Sequence, residues 1–145
     1  MVATAGQLAR STGIEIMSFA VAGSTSITTG QIVGLDSSGD AVLAGTSGVV
    51  ARGLFVAIET VDNSAGSAGD LYIRLAGGNT YVYTVASEAL VVGHAVKSSA
   101  SSKCAPQTSV FGNETVLGRY IGHENEESAP TDAVTDDVIV VRLGL

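Results

Sequence analysis

The strongest constraint in this sequence is its rhythm, in which short runs rich in β-branched residues alternate with clusters of Gly, Ser, Asn and Asp. The chain has 145 residues, with 18 glycines and two prolines, and no stretch carries an apolar stripe at helical spacing. Short runs bounded by turn residues are typical of strands. The fold class is therefore predicted to be all-β, a compact barrel or sandwich that is long enough to enclose a real core.

One hairpin is predicted where residues 31–35 and 41–44 flank the turn 36–40, because Gly39 there can adopt a positive φ. A second is predicted where residues 71–75 and 81–85 flank the stretch 76–80, and Gly77 or Gly78 should then need a positive φ. Further extended runs are predicted at residues 49–61, 116–121 and 138–143.

Three segments lie outside this strand pattern. Residues 1–13 carry little core material and are predicted to form an extended N-terminal arm, with a single β domain at 14–145. Residues 98–106 are rich in Ser, and residues 124–137 carry six carboxylates and no base. Each is expected to be either a loop with a function or a disordered segment.

A short sequence pattern occurs twice. Gly30-Gln31-Ile32-Val33 is echoed by Gly93-His94-Ala95-Val96, and residues 53–59 are echoed by residues 118–124. In each half a glycine-led extended run precedes a second glycine-led strand. Either the chain contains a structural repeat, or strands of biased composition resemble each other by chance.

Charged residues make up 14% of the chain, against roughly 25% in an ordinary soluble protein. Because interface cores are depleted in charge, partner subunits are expected to cover part of the surface; the alternative is a monomer with a Ser/Thr/Gly surface. The net charge is −7 and the seven basic residues are scattered, so binding to nucleic acid is not expected.

Cys104 is the only cysteine, which excludes an internal disulfide framework and a Cys-rich metal site. No apolar run is long enough to span a membrane. Residues 14–22 weakly imitate a signal peptide, but Glu15 interrupts the apolar stretch, so synthesis in the cytoplasm without export is expected.

No catalytic pattern is present, and the chain is expected not to be an enzyme and to hold no cofactor. His94 and His123 have no Cys or carboxylate at familiar zinc-ligand spacing, and no nucleotide-binding or nucleophile-elbow motif occurs. The acidic stretch could bind calcium but lacks the ligand pattern of a calcium loop. A solvated loop explains it, as turn formation explains Asp36 and Asp40. Asn113 heads a short glycosylation sequon that has a high false-positive rate.

The glycine-led units resemble small capsid decoration (cement) proteins of tailed viruses. The resemblance covers roughly residues 27–143. Its elements are a G-x-h-V-x-x-x-x-x-G-x-h hairpin, an h-G-h-h strand, an A-G-x-h-h-h strand and a closing h-h-V-x-L strand, where h is apolar.

The resemblance implies a β-tulip or β-clip-like fold on the outer surface of a virus head, bound to the major capsid protein and often trimeric. It also implies an arm that grips the capsid protein, for which Val2, Gln7, Leu8 and Arg10 are the predicted contact residues. Neither nucleic acid nor membrane is an expected partner.

Two alternatives remain open from sequence. Another viral β module, such as a tail tube, fibre or adhesin, would share the composition, although fibres usually show repeats along their length. A trimeric hydrolase of the dUTPase type would need a water-activating carboxylate and a phosphate-binding motif, for which Asp70-Leu71-Tyr72 is the sole candidate.

Overall fold

The computed structural model describes residues 5–6, 15–45, 52–78, 80–107, 117–123 and 131–144, with the backbone alone described at residues 52 and 53. These residues contain twelve strands. The strands are β1 (Glu15–Ala20), β2 (Thr25–Ile27), β3 (Ile32–Leu35), β4 (Ala41–Leu43), β5 (Arg52–Ala57), β6 (Val61–Asn63), β7 (Tyr72–Gly77), β8 (Tyr81–Val85), β9 (Ala95–Ser98), β10 (Cys104–Pro106), β11 (Gly118–His123) and β12 (Val138–Leu143).

The strands form two five-stranded antiparallel sheets and one small ribbon. The first sheet has the order β1-β7-β5-β3-β4, the second has the order β10-β9-β11-β12-β8, and β2 pairs with β6. The predicted all-β class is confirmed, and the arrangement is a sandwich rather than a closed barrel. In the part of the chain described, no helix is long and apolar enough to cross a membrane.

The hairpin predicted at residues 31–44 is confirmed. Strands β3 and β4 pair in antiparallel register, with Val33 opposite Leu43. Gly39 has a φ of 84°, and Asp36 Oδ1 accepts hydrogen bonds from the N–H groups of Ser38 and Asp40, both at 2.9 Å. The carboxylate therefore satisfies two backbone donors inside the turn, as Asx-type turns do.

The hairpin predicted at residues 71–85 is wrong. Strands β7 and β8 form at the predicted places, but β7 lies between β1 and β5 while β8 pairs with β12 in the other sheet. Neither Gly77 nor Gly78 has a positive φ. The Thr80 hydroxyl stabilises the crossing by donating to the Gly77 carbonyl at 2.6 Å and accepting from the Glu15 N–H at 2.9 Å.

The two sheets repeat one topology. We call β1–β7 the first half of the chain and β8–β12 the second half. In each sheet the first strand of the half, β1 or β8, lies at one edge beside the last strand, β7 or β12. The hairpin β3-β4 or β9-β10 lies at the other edge. The predicted echo at Gly30 and Gly93 is confirmed: these glycines have φ values of 87° and 89°. Their N–H groups donate to the carbonyls of Ala57 and Tyr120, at 2.8 and 2.9 Å. Both pairs stand 63 residues apart, so they are equivalent positions.

The second echo was predicted two residues out of register. It placed Gly53 opposite Gly118, but Val33 pairs with Phe55 and its equivalent Val96 pairs with Gly118. Phe55 is therefore the residue equivalent to Gly118. Strand pairing, which depends on the neighbouring strand, decides the register here, and the glycines alone do not.

The Ser-rich stretch is the second copy of the Asp36 hairpin. Strands β9 and β10 pair through Ser98 and Cys104, and Ser99 occupies the position equivalent to Asp36. Its Oγ accepts from the N–H groups of Ser101 and Lys103 at 3.3 Å, and Ser102 takes the positive φ of Gly39, at 59°. Its composition follows from this turn.

Each half has a core built from equivalent positions. In the first half it comprises Val21, Ile27, Val33, Ala41, Ala57, Ile73 and Leu75. In the second half Ala86, Leu90, Val96, Cys104, Tyr120, Ile139 and Val141 take those places, within a larger cluster that also contains Ile32, Ala44, Val56 and Ala76 of the first half. The larger cluster therefore joins the two halves.

Candidate interaction surface

The N-terminal segment touches the domain of its own chain at Ala5 and Gly6. The Gly6 N–H donates to the Tyr83 carbonyl at 2.7 Å, and the Ala5 carbonyl accepts from the Thr29 hydroxyl at 3.3 Å. Thr29 belongs to the first half and Tyr83 to the second. Ala5 and Gly6 therefore connect the two halves.

Gly6 is closely surrounded at this contact. It is buried and has a φ of 88°. A Cβ at Gly6 would meet Thr29 Oγ1, and would lie 2.6 Å from the Gly30 nitrogen and 2.7 Å from the Ala57 oxygen. Only glycine fits there without displacing backbone. Sequence patterns carried no signal for this contact of Gly6, since a glycine in an N-terminal segment with few core side chains is typical of a linker.

The predicted partner-binding residues Val2, Gln7, Leu8 and Arg10 lie outside the described residues. The division into an arm at 1–13 and a domain at 14–145 stays a prediction. What the structure adds is that two residues of the segment assigned to the arm pack on the same chain.

Gly6 binds at the outer edge of β8. Leu143 N–H donates to the Thr80 carbonyl and Ala86 N–H donates to the Asp137 carbonyl, so the even-numbered residues of β8 face β12. The odd-numbered residues, Tyr83 among them, direct their backbone groups away from the sheet, because bonding directions alternate along a strand. The N-terminal segment thus supplies a partner for that edge.

Strand β1 is the equivalent edge of the first sheet. Val21 N–H donates to the Leu71 carbonyl at 2.9 Å, so the odd-numbered residues of β1 face β7. The backbone groups of Ile16, Ser18 and Ala20 therefore point outward. Val21 and Ala41 form a parallel bridge in which the Ala20 carbonyl faces the Ala41 N–H, so β4 covers the end of this edge. Ser18 corresponds to Tyr83, and among the described residues none donates to or accepts from the outward groups of Ile16 and Ser18.

Large apolar side chains are exposed beside this edge. Ile16 is 40% exposed and Tyr72, opposite Ala20, is 64% exposed. Between them Arg74 forms an ion pair with Glu59 at 3.1 Å. Burial acts to raise the pKa of Glu59, but hydrogen bonds from the Arg74 N–H and guanidinium outweigh it and hold that pKa below its ordinary value. We call Ile16, Ser18, Ala20, Tyr72 and Arg74 the β1 edge surface.

His123 joins both ends of the acidic segment. Its Nε2 lies 2.8 Å from Asp137 Oδ2, and its Nδ1 lies 3.3 Å from the Thr131 hydroxyl and 3.4 Å from the Tyr120 hydroxyl. Tyr120 also donates to the Thr131 carbonyl. Glu124, the neighbour of His123 in the sequence, lies outside the described residues. Asp137 is the partner observed.

The described carboxylates of the acidic segment bind within the protein. Asp132 accepts from the Val92 N–H at 3.1 Å, and Asp136 pairs with Lys103 at 2.8 Å. Hydrogen bonds from the Val134 N–H and from His123 lower the pKa of Asp137. Over the described ranges, no three His, Cys, Asp or Glu side chains are close enough together to hold a metal ion.

The other chemical candidates have structural partners. Asp70, the carboxylate of the hydrolase alternative, accepts from the Ser67 N–H at 2.9 Å in the turn before β7. His94 is exposed at the start of β9. Cys104 is fully buried in the core, and this burial raises the pKa of its thiol well above the ordinary value. Asn113 lies outside the described residues.

Comparison with known proteins finds similarity in structure alone. No protein family matches the chain, and no curated protein does. Among solved structures, the fold is similar to the N base of the head fibre protein gp8.5 of bacteriophage phi29, with a TM-score of 0.59 and 13% sequence identity. The match covers 90% of this chain and 95% of that one. At this identity the likeness describes the shared fold.

Proposed function

We propose that this chain is a structural protein of a tailed-virus particle that binds the outer surface of the head and stabilises it. The observation that carries the proposal is the shared fold: a phage head-fibre base is matched over 95% of its length. The resemblance of the sequence to capsid decoration proteins supports the same role. The low fraction of charged residues supports a protein whose surface is partly covered by neighbouring subunits.

The proposed partner is the major capsid protein, and the proposed working form is a homotrimer. A protein that binds the assembled shell and not its free subunits stabilises the shell by mass action. Each copy needs modest affinity, because many copies act together. No catalysis is proposed, in keeping with side chains such as Asp36 and Asp70 that serve turns.

A second candidate role is the base module of a head fibre. The structural neighbour is itself such a base. Both roles place the chain on the head, but a fibre base would carry a further fibre segment, whereas a decoration protein would cover the shell as many separate copies.

The test is co-sedimentation with heads of the virus that encodes the chain. We expect purified protein to bind undecorated heads at high copy number and not to bind purified tails. Few copies per head would favour the fibre base, and exclusive binding to tails would contradict both roles.

A second arm of this experiment concerns the predicted contact residues. A variant with Gln7→Ala, Leu8→Ser and Arg10→Ala keeps Ala5 and Gly6, and we expect fewer bound copies with an unchanged unfolding temperature. Ser37→Ala, in an exposed turn, is the control. Equal occupancy of triple variant and control would show that these residues are not the anchor.

A further inference from the structure

The antiparallel ribbon that β2 and β6 form in the first half has a counterpart in the second half. Ile27 pairs with Val61, and the equivalent Leu90 pairs with Ala133, where each N–H donates to the carbonyl of the other residue. The side chains of these pairs face the protein, since Ile27, Leu90 and Ala133 are buried and Val61 is half-buried. Because side chains alternate across a strand, the residues on either side of each pair face solvent.

The outward positions of the two ribbons differ in polarity. In the first half they hold four exposed polar residues, Ser26, Thr28, Thr60 and Asp62. In the second half they hold four residues that are also exposed, Ala89, Val91, Asp132 and Val134. We call these last four residues the Val91 surface. Val91 is 48% exposed and Val134 is 62% exposed, so the same ribbon is polar on its outer face in one half and mostly apolar in the other.

The apolar side chains of the Val91 surface lie side by side. The antiparallel register of Leu90 with Ala133 sets Ala89 opposite Val134, and opposed Cβ atoms in such pairs are about 4.5–5.5 Å apart. Single exposed apolar residues are ordinary. Adjacent ones at positions that the other half fills with polar residues are not required by the ribbon fold, and they indicate a contact surface.

Negative charge accompanies this apolar face. Asp132 lies on it and accepts a hydrogen bond from the Val92 N–H at 3.1 Å, and the exposed Glu88 adjoins it in sequence. Both positions hold threonine in the first half, as Thr25 and Thr60. The chain as a whole has a net charge of −7. Lys or Arg side chains around an apolar patch of a partner would complement this arrangement.

A second copy of the chain fits the Val91 surface less well than an oppositely charged protein does. In a two-fold contact between two such surfaces the same acidic residues would approach each other, and like charges across an interface are unfavourable. The exposed apolar side chains are also few and small, whereas a stable dimer buries roughly 800 Å² per partner. A contact of this size suits binding to a shell on which many copies act together.

We propose that the Val91 surface docks on a protein surface that carries apolar side chains bordered by Lys or Arg. This inference rests on the proposed function, in which that protein surface belongs to the assembled virus head. It deepens the proposed function because it names a face of the folded domain that makes the contact. This face is separate from the N-terminal residues that are predicted to bind the capsid protein.

Exchange of valine for threonine tests the apolar part of the contact. The double variant Val91→Thr, Val134→Thr keeps the shape of both side chains, and because both are exposed we expect a nearly unchanged unfolding temperature. We expect its apparent Kd for undecorated heads, measured by co-sedimentation, to rise by about tenfold or more. Ile16→Thr changes a side chain on β1 that is 40% exposed; it is the control and should bind as wild type does.

Two similar carboxylates test the charge. Asp132 and Asp62 are both exposed, and each accepts one backbone N–H through Oδ1, at 3.1 and 3.0 Å. Asparagine keeps this acceptor and removes the charge. We expect Asp132→Asn to weaken head binding about threefold at low salt, and by less at high salt because salt screens the charges. Asp62→Asn is the control and should leave the affinity unchanged.

The outcomes separate this inference from the proposed function. Wild-type protein that does not bind heads would contradict both. Wild-type binding with equal affinity of the valine double variant would overturn the inference alone, as would an equal loss of affinity in Ile16→Thr. Equal weakening by Asp132→Asn and Asp62→Asn would overturn the opposite charge of the partner. Loss of self-association in the double variant, with its head affinity unchanged, would assign the Val91 surface to contacts between copies instead.

Discussion

The two halves of this molecule share a strand order but differ in the side chains on one equivalent face of their sheets. In the first sheet Ile32, Val56 and Ala76 form a row across three neighbouring strands, and all three are fully buried against the second half. In the second sheet the equivalent row is Ala95, Arg119 and Arg142. The repeat shows that one backbone arrangement can be an inner or an outer layer, depending on these side chains.

The difference explains why the stack consists of two sheets. The apolar face of the first sheet needs a covering layer, and the second half provides that layer. A third layer on the equivalent face of the second sheet would have to desolvate the two arginines there, which is costly. Arg119 bonds instead to the Gly93 carbonyl at 3.0 Å.

The halves also differ in one connection. Ile27 of β2 pairs with Val61, and the equivalent Leu90 forms a bridge with Ala133. From Ala57 to Val61 the chain has three intervening residues, whereas from Tyr120 to Ala133 it has twelve. The extra residues coincide with the acidic segment, so this segment is an insertion specific to the second half, with His123 at its base.

The first prediction tests whether the halves are equivalent and unfold together. Ile73 and Ile139 occupy equivalent positions and are both fully buried. We expect Ile73→Ala and Ile139→Ala each to lower the free energy of unfolding by about 2–5 kcal/mol, in a single transition measured by urea denaturation. Because the larger core cluster joins both halves, two separate transitions in Ile73→Ala would contradict the joint core.

The second prediction uses the glycines that begin the repeated units. Both have a positive φ, so alanine at either should cost about 1–2 kcal/mol in backbone strain. A Cβ at Gly93 has open space, whereas one at Gly30 would meet the Ala5 side chain and lie 2.8 Å from its carbonyl carbon. We expect Gly30→Ala to cost about 1–3 kcal/mol more than Gly93→Ala.

Removal of residues 1–6 provides the control for this pair. Without Ala5 the two alanine variants should be destabilised equally, each relative to the truncated chain, as thermal unfolding would show. A difference that persists after truncation would mean that Ala5 is not the source of the extra cost.

Local signals in the sequence predicted the strands well and their partners poorly. The turn at Asp36 was predictable because a carboxylate and Gly39 stabilise it within five residues. Strands β7 and β8 were placed correctly too, but they lie in separate sheets. β7 already has neighbours on both sides, β1 and β5, and those neighbours are distant in sequence.

The β1 edge surface could not be predicted for the same reason. Whether a strand lies at an edge depends on the order of all five strands in the sheet, and composition does not report that order. A systematic comparison of positions 63 residues apart would have found more. It aligns Asp36 with Ser99 and Gly39 with Ser102, and it would have identified the Ser-rich stretch as a hairpin turn.

The last prediction concerns the smallest difference between the halves, in the turns before β7 and β12. Asp70 accepts from the Ser67 N–H and Asp137 accepts from the Val134 N–H, each at 2.9 Å, but Asp137 also contacts His123. We expect Asp137→Asn to destabilise the protein by on the order of 1 kcal/mol at neutral pH, and Asp70→Asn by less.

The pH dependence of that effect identifies its cause. The pKa of Asp137 in the folded protein lies below its ordinary value of 3.8, so the carboxylate contributes its full stabilisation above that value and loses it as the pH falls through the folded pKa. The difference in unfolding temperature between wild type and Asp137→Asn should therefore be larger at neutral pH than at about pH 2. If the difference is equally large at both pH values, the charge of Asp137 is not what stabilises the turn, and the loss then reflects the changed shape of the hydrogen-bonding group.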